Sequence, residues 1–178
     1  MRLIDKNTKK YTRQLKNHKL TGYPVSCLVI DCEIPTIETN DMTVEIPYIY
    51  IKSVVEGGKS SIDERYSLCT EIVEMSEAEK VAVDAEIKSK LDTAEWVRIK
   101  KEVKNLLLKA DAVDTADFAD PHLISNSDLG IVRTWRKSLR KINMVYTDPF
   151  NKELQDLLLP ENVSIQDENV KNIFIELF

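Results

Sequence analysis

The sequence has little of what most chemistry or anchoring requires. It contains two histidines, His18 and His122, and three cysteines, Cys27, Cys32 and Cys69. An odd cysteine count without a Cys-x-x-Cys pair excludes a disulfide framework and leaves a zinc centre short of ligands. The thiols are therefore read as small buried or half-buried hydrophobes, with Cys27 and Cys32 facing opposite sides of one expected strand. The longest apolar runs, "CLVI" and "LLL", fall far short of the roughly 20 residues that cross a bilayer. The basic N-terminus "MRLIDKNTKKYTRQLKNHKL" lacks the apolar stretch of a secretory signal. Glycine is scarce, and "EGGK" at residues 56–59 has neither phosphate-loop spacing nor a following helix, so it reads as a hairpin turn. No Gly-x-Ser-x-Gly or His-Glu-x-x-His motif is present. These gaps argue against an enzyme and against a bound cofactor.

What is present is charge and helical periodicity. The chain is 43% hydrophobic and 31% charged, with a formal net charge of −5, as expected of a globular protein with an ion-paired, helix-rich surface. A general nucleic-acid binder would be basic. The length of 178 residues suffices for one domain, or for a small domain with a helical extension.

The pattern predicts an α+β fold: a small antiparallel β unit at the N-terminus, then a long helix and an antiparallel helical hairpin. Residues 25–34, "VSCLVIDCEI", and 42–51, "MTVEIPYIYI", are rich in β-branched and aromatic residues. The second alternates, with Val44, Ile46, Tyr48 and Tyr50 on one face, and Pro47 marks it as an edge strand or a bulge. "VVEGGKSSIDE" reads as a turn-rich connection and "RYSLCTEIV" as a third strand. About three strands need a covering layer to be stable.

That layer begins at "SEAE", a capping box in which Ser76 caps a helix and Glu79 reaches back to its amide. Trp96, Ile99, Val103, Leu106, Ala110 and Val113 then advance by threes and fours, forming one buried stripe. A second helix is expected from Asp128 to Tyr146, with Ser125, Asn126 and Ser127 competing as caps and Leu129, Val132, Trp135, Leu139 and Ile142 as its stripe. The connection between them is longer than helix pairs normally use and implies a turn of structure of its own. Asp148 as cap and Pro149 in the first position predict a short third helix, followed by the apolar tail "NVKNIFIELF". The expected division is a β-rich domain over residues 1–75, a hairpin domain over 76–147 and an extension over 148–178.

Asp111, Asp114, Asp117 and Asp120 recur at a spacing of three. A calcium loop places ligands at every second residue, with glycine at its bend; this spacing fans the carboxylates apart, so they are read as caps and Asx turns. No metal ligand is assigned. The basic run "RTWRKSLRK" reads as an ion-paired helix face with Trp135 turned into the hairpin core; nucleic acid is disfavoured as its partner, and an acidic protein is the remaining alternative.

The pair Leu106 and Leu107, then Asp111, then Asp120 with Leu123, then Trp135, Arg136, Leu139 and Arg140 form a run that resembles the C-terminal helical region of tail and tail-fibre assembly chaperones of tailed bacteriophages. The chain departs from that family at Ala112, where an aromatic is favoured, and after the second helix, where a Pro/Trp-rich ending is replaced. The resemblance implies a non-enzymatic protein that binds a phage tail or tail-fibre protein, made in the host cytoplasm, either as an assembly factor or as a part of the virion tail. Trp135, Arg136 and Arg140 are its expected partner-binding residues, joined by Phe174 and Phe178 of the apolar tail from Asn169 to Phe178, which is read either as docked on its own domain or as pressed into a partner. No membrane partner is implied, and self-association stays open. The alternative is an accessory protein that binds nucleic acid or a divalent metal.

Overall fold

A computed structural model describes residues 1–16, 20, 22–113 and 124–178. It is an α+β fold that divides into two compact units, Met1–Ile87 and Lys88–Phe178, with the division inside a long helix.

In the first unit β1 (Leu3–Asp5), β2 (Cys27–Ile30), β5 (Ile51–Lys59) and β6 (Ser67–Glu74) form one sheet in the order β1-β2-β6-β5. β3 (Thr36–Thr39) and β4 (Met42–Glu45) make a separate hairpin. The pairings are antiparallel except for β2 on β6, which run parallel with Val29 opposite Leu68 and Ile30 opposite Cys69. Both faces of the sheet are covered. Ile4, Leu28, Ile51, Cys69 and Ile72 join one cluster, while Leu3, Cys27 and Val29 join another with Leu20 and Tyr66. Successive strand residues point to opposite faces, so a strand buried on both sides reads as the unbroken run "CLVI".

Three expectations change here. The basic N-terminal segment contributes β1, whose short apolar stretch has no alternation long enough to notice. The strand expected over 42–51 is interrupted: β4 ends at Glu45, and Tyr48–Tyr50 form a 3-10 turn closed by the Tyr50 amide on the Pro47 carbonyl at 2.9 Å. Pro47 has no N–H to offer a ladder, and the chain turns where the ladder fails. "EGGK" is strand, not turn: it lies within β5, beside register shifts on either side of Glu56. A side chain at Gly57 would collide with the Thr70 methyl, so glycine there lets β5 and β6 approach. The chain reverses later, where the Ser60 amide donates to the Tyr66 carbonyl at 2.8 Å.

The helix α1 (Glu77–Val113) starts as the capping box predicts, with the Ser76 amide donating to Glu79 at 2.8 Å and the Glu79 amide to Ser76 Oγ at 3.4 Å. In the second unit its stripe is buried at Ile99, Leu106, Ala110 and Val113, with Trp96 and Val103 packed against the same core. The other contributors are α2 (Asn126–Arg140), α4 (Lys152–Leu157) and α5 (Glu168–Glu176), with the single turn α3 (Ile142–Val145) between the first two. The one helix expected over 128–146 is thus two, because Lys141 (φ −101°, ψ 2°) leaves helical geometry after Arg140.

Ser125 wins the competition for the α2 cap, accepting from the Asp128 amide at 3.1 Å. Asp148 does not cap α4: it accepts from the Phe150 amide at 3.0 Å in an Asx turn, and Asn151 caps instead through the Leu154 amide at 3.2 Å. An Asx side chain reaches the amide two residues on as readily as it caps, and Asn151 stands nearer the start of the apolar positions. The connection over residues 114–123, with its expected turn of structure, lies outside the described residues. Among the described residues no helix is long and apolar enough to cross a membrane.

Candidate functional site

The feature of the second unit best suited to recognition is a groove of about 350 Å3 between α1 and the end of α2 with α3. Its floor is made by Ile99, Leu139 and Ile142, which are 0, 1 and 3% exposed, and its apolar wall by Val103 and Leu107. Lys100, Lys104, Leu108, Asp111 and Asn143 form the rim. The helical repeat explains the layout. In "LLL", Leu106 faces the core, Leu107 reaches the groove, and Leu108 is turned outward and is 61% exposed. Consecutive helix residues stand about 100° apart, so three leucines overfill one buried stripe.

The electrostatics are uneven around that rim. Asp111 sits in the last turn of α1 and accepts from the Arg136 guanidinium, with the Arg140 guanidinium 3.8 Å away. Lys100 and Lys104, one turn apart on the exposed side of α1, have no ion-pair partner among the described residues. The groove therefore combines an apolar floor with two cations that pair with none of the described residues. Two lysines, one aspartate and one asparagine are the polar groups of a lining that is otherwise apolar.

No protein-family model, curated protein or solved structure matches the chain.

The expected partner-binding residues separate into two kinds. Arg140 is exposed, and Arg136 is half-buried against Asp111. Trp135 and Phe174 are core residues, 6 and 0% exposed: the hairpin-core reading of Trp135 and the reading of the tail as docked on its own domain hold, and their assignment to a partner surface is corrected. Their rings meet edge to face at 5.5 Å, Phe178 adds a second edge contact to Trp135 at 5.6 Å, and Trp135 Nε1 donates to the Leu157 carbonyl at 2.8 Å. Phe178 is partly buried, with Lys109 Nζ donating to its main-chain oxygen at 2.6 Å. Folding the aromatic end of the tail onto Trp135 removes more apolar surface from water than leaving it free would.

Asp111 is an ion-pair acceptor within a helix, not a loop cap; Asp114, Asp117, Asp120, His18 and His122 lie outside the described residues. Among the described residues no cluster of His, Cys, Asp and Glu has the makings of a metal site. Cys27 and Cys69 are buried free thiols, and Cys32 lies beyond the end of β2, packed against the cluster that holds Cys69. Burial first, and the neighbouring Cys32 second, push the Cys69 thiol up to about 11.

Sequence reasoning passed over Asp128. It is 1% exposed, and its carboxylate accepts from the Gln166 amide at 2.8 Å and from Ser125 Oγ at 2.9 Å. It ties the segment before α5 to the start of α2. The signal was the Ser-x-x-Asp spacing from Ser125, a variant of the capping box.

Proposed function

We propose that the protein is a non-enzymatic, protein-binding component of a tailed bacteriophage that engages a tail or tail-fibre protein, either during assembly or as a virion part. The observation that carries this reading is the convergence of the family-like run on one groove. Leu107, Asp111 and Leu139 line it, and Arg136 and Arg140 bracket Asp111. The groove, rather than Trp135 or Phe174, is the partner surface. An apolar floor with a polar rim is the general anatomy of a protein interface.

The test is affinity purification of the tagged full chain from infected host cells, together with mass spectrometry of purified particles. Recovery of tail or fibre proteins in the first experiment supports the reading. Presence of the chain in particles assigns it to the virion, and absence assigns it to assembly. A tagged chain that recovers no tail or fibre component and is missing from particles refutes the proposal.

A further inference from the structure

We infer that the groove takes an amphipathic helix of the partner protein whose apolar stripe is flanked by aspartate or glutamate, with Lys100 and Lys104 meeting the acidic flank. This rests on the protein-binding reading above and adds the chemistry of the partner. The groove follows α1 from Ile99 to Asp111, about 18 Å at the helical rise of about 1.5 Å per residue. That length matches about three turns of a docked helix.

The groove is open to solvent along one side. An amphipathic helix uses such a groove well, because its apolar anchors enter while its opposite face stays wet. A free fatty acid would need roughly 70–90% of its surface enclosed, and its single carboxylate would leave one of the two lysines unused. The lysines decide the sign of the partner. They stand four residues apart on one ridge, beside apolar surface and without counter-charges among the described residues. Among the described residues the one carboxylate on the rim, Asp111, is already engaged by Arg136 and Arg140. Carboxylates one turn apart on a helix laid alongside would face both lysines, whereas a basic helix would be repelled.

The experiment uses the full chain with a panel of fluorescein-labelled, stapled peptides of about four helical turns. Each carries leucine, isoleucine or phenylalanine at i, i+3, i+4 and i+7 flanked by glutamate, and a matched panel is flanked by lysine. Saturable anisotropy is expected for glutamate-flanked members only, with shifts in the methyl resonances of Ile99, Val103, Leu107, Leu139 and Ile142. The double variant Lys100→Glu/Lys104→Glu should weaken binding about tenfold or more, and Leu108→Asp should also weaken it. All three side chains are exposed, so unchanged melting temperatures will show that the variants fold.

The inference is overturned if no glutamate-flanked peptide binds, if both panels bind equally, or if the shifts map elsewhere. It also fails if sodium palmitate alone produces the same methyl shifts, or if sedimentation reveals a dimer that the charge reversal dissociates, since the occupant is then an amphiphile or a second copy. The two readings fail separately. Peptide binding by a chain that never accompanies tail proteins refutes the phage assignment alone, while tail proteins still recovered with the charge-reversed variant refute the acidic-helix inference alone.

Discussion

The two units bury their apolar residues in different ways. In Lys88–Phe178 one cluster joins sixteen of the described residues, drawn from α1, α2, α4, α5 and the segments between them. In Met1–Ile87 the described buried residues split into clusters of six and five on opposite faces of one sheet. A helix delivers its buried side chains to one side, so helices converge on a common core. A sheet buried on both faces divides its side chains between two thinner layers. The helical unit should therefore respond as a whole to a single core change, and the sheet unit face by face.

The largest effect is expected from Phe174→Ala. Removal of a fully buried ring that contacts Trp135 and Phe178 should cost about 3–5 kcal/mol. Both tryptophans, Trp96 and Trp135, belong to the helical unit, so tryptophan fluorescence in denaturant reports it directly. Truncation after Asp167 should abolish that transition. A loss below about 1 kcal/mol for Phe174→Ala would mean that the tail is not core.

Next come Leu3→Ala and Ile4→Ala, neighbours on β1 that enter opposite faces of the sheet. Each should cost about 2–3 kcal/mol, read by tyrosine fluorescence, while the tryptophan transition stays where it was. If the tryptophan signal moves by the same amount, the units unfold as one and the comparison breaks. The double variant measures how far the two faces are coupled through the backbone that the neighbouring residues share.

Asp128→Ala should cost about 1–3 kcal/mol, since it strips a buried acceptor from the Gln166 amide and the Ser125 hydroxyl. The tryptophan transition again reads it. An unchanged midpoint would show that the clamp between α2 and the tail is dispensable.

The smallest effect concerns Glu79. The Lys52 ammonium at 2.8 Å, then the Ser76 amide and hydroxyl, lower its carboxyl to about 2. A lowered folded value means the stabilisation is fully present above the ordinary carboxylate range and is lost as pH falls through about 2. Thermal melts between pH 5 and 2, both about the ends of that window, should show a shallower decline for Glu79→Gln than for the parent. Parallel curves would reject the capping box as an acid-sensitive element.

The helical unit was more legible in the sequence than the sheet. Ile99, Leu106, Val132, Trp135 and Leu139 announce themselves through spacing, and Ser76 and Ser125 through cap chemistry. β1 was invisible because Leu3 and Ile4 are adjacent and serve different faces, which gives no period to detect. Gly57 misled because a residue chosen for close strand approach carries the same letter as one chosen for a turn. At the groove, Leu107, Asp111, Leu139, Arg136 and Arg140 were picked out by the resemblance. Nothing in the sequence pattern singled out Lys100 and Lys104, because having no ion-pair partner among the described residues is a property of neighbours that no local pattern records. Trp135, read from its spacing as core, and Phe174 were also counted as partner-binding because apolar aromatics fit an interface and a core equally well.

The parallel pairing of β2 with β6 sets a timetable for synthesis. Val29 and Ile30 find their β6 partners only when Leu68 and Cys69 have been made, so the central strand "CLVI" emerges from the ribosome with β1 on one edge and its other edge unpaired. Pairings distant in sequence form slowly because a large loop must close first. The sheet unit is expected to acquire its fold late, after β6 and the first turns of α1 have emerged, and until then its most apolar strand stays open to whatever meets it in the cell.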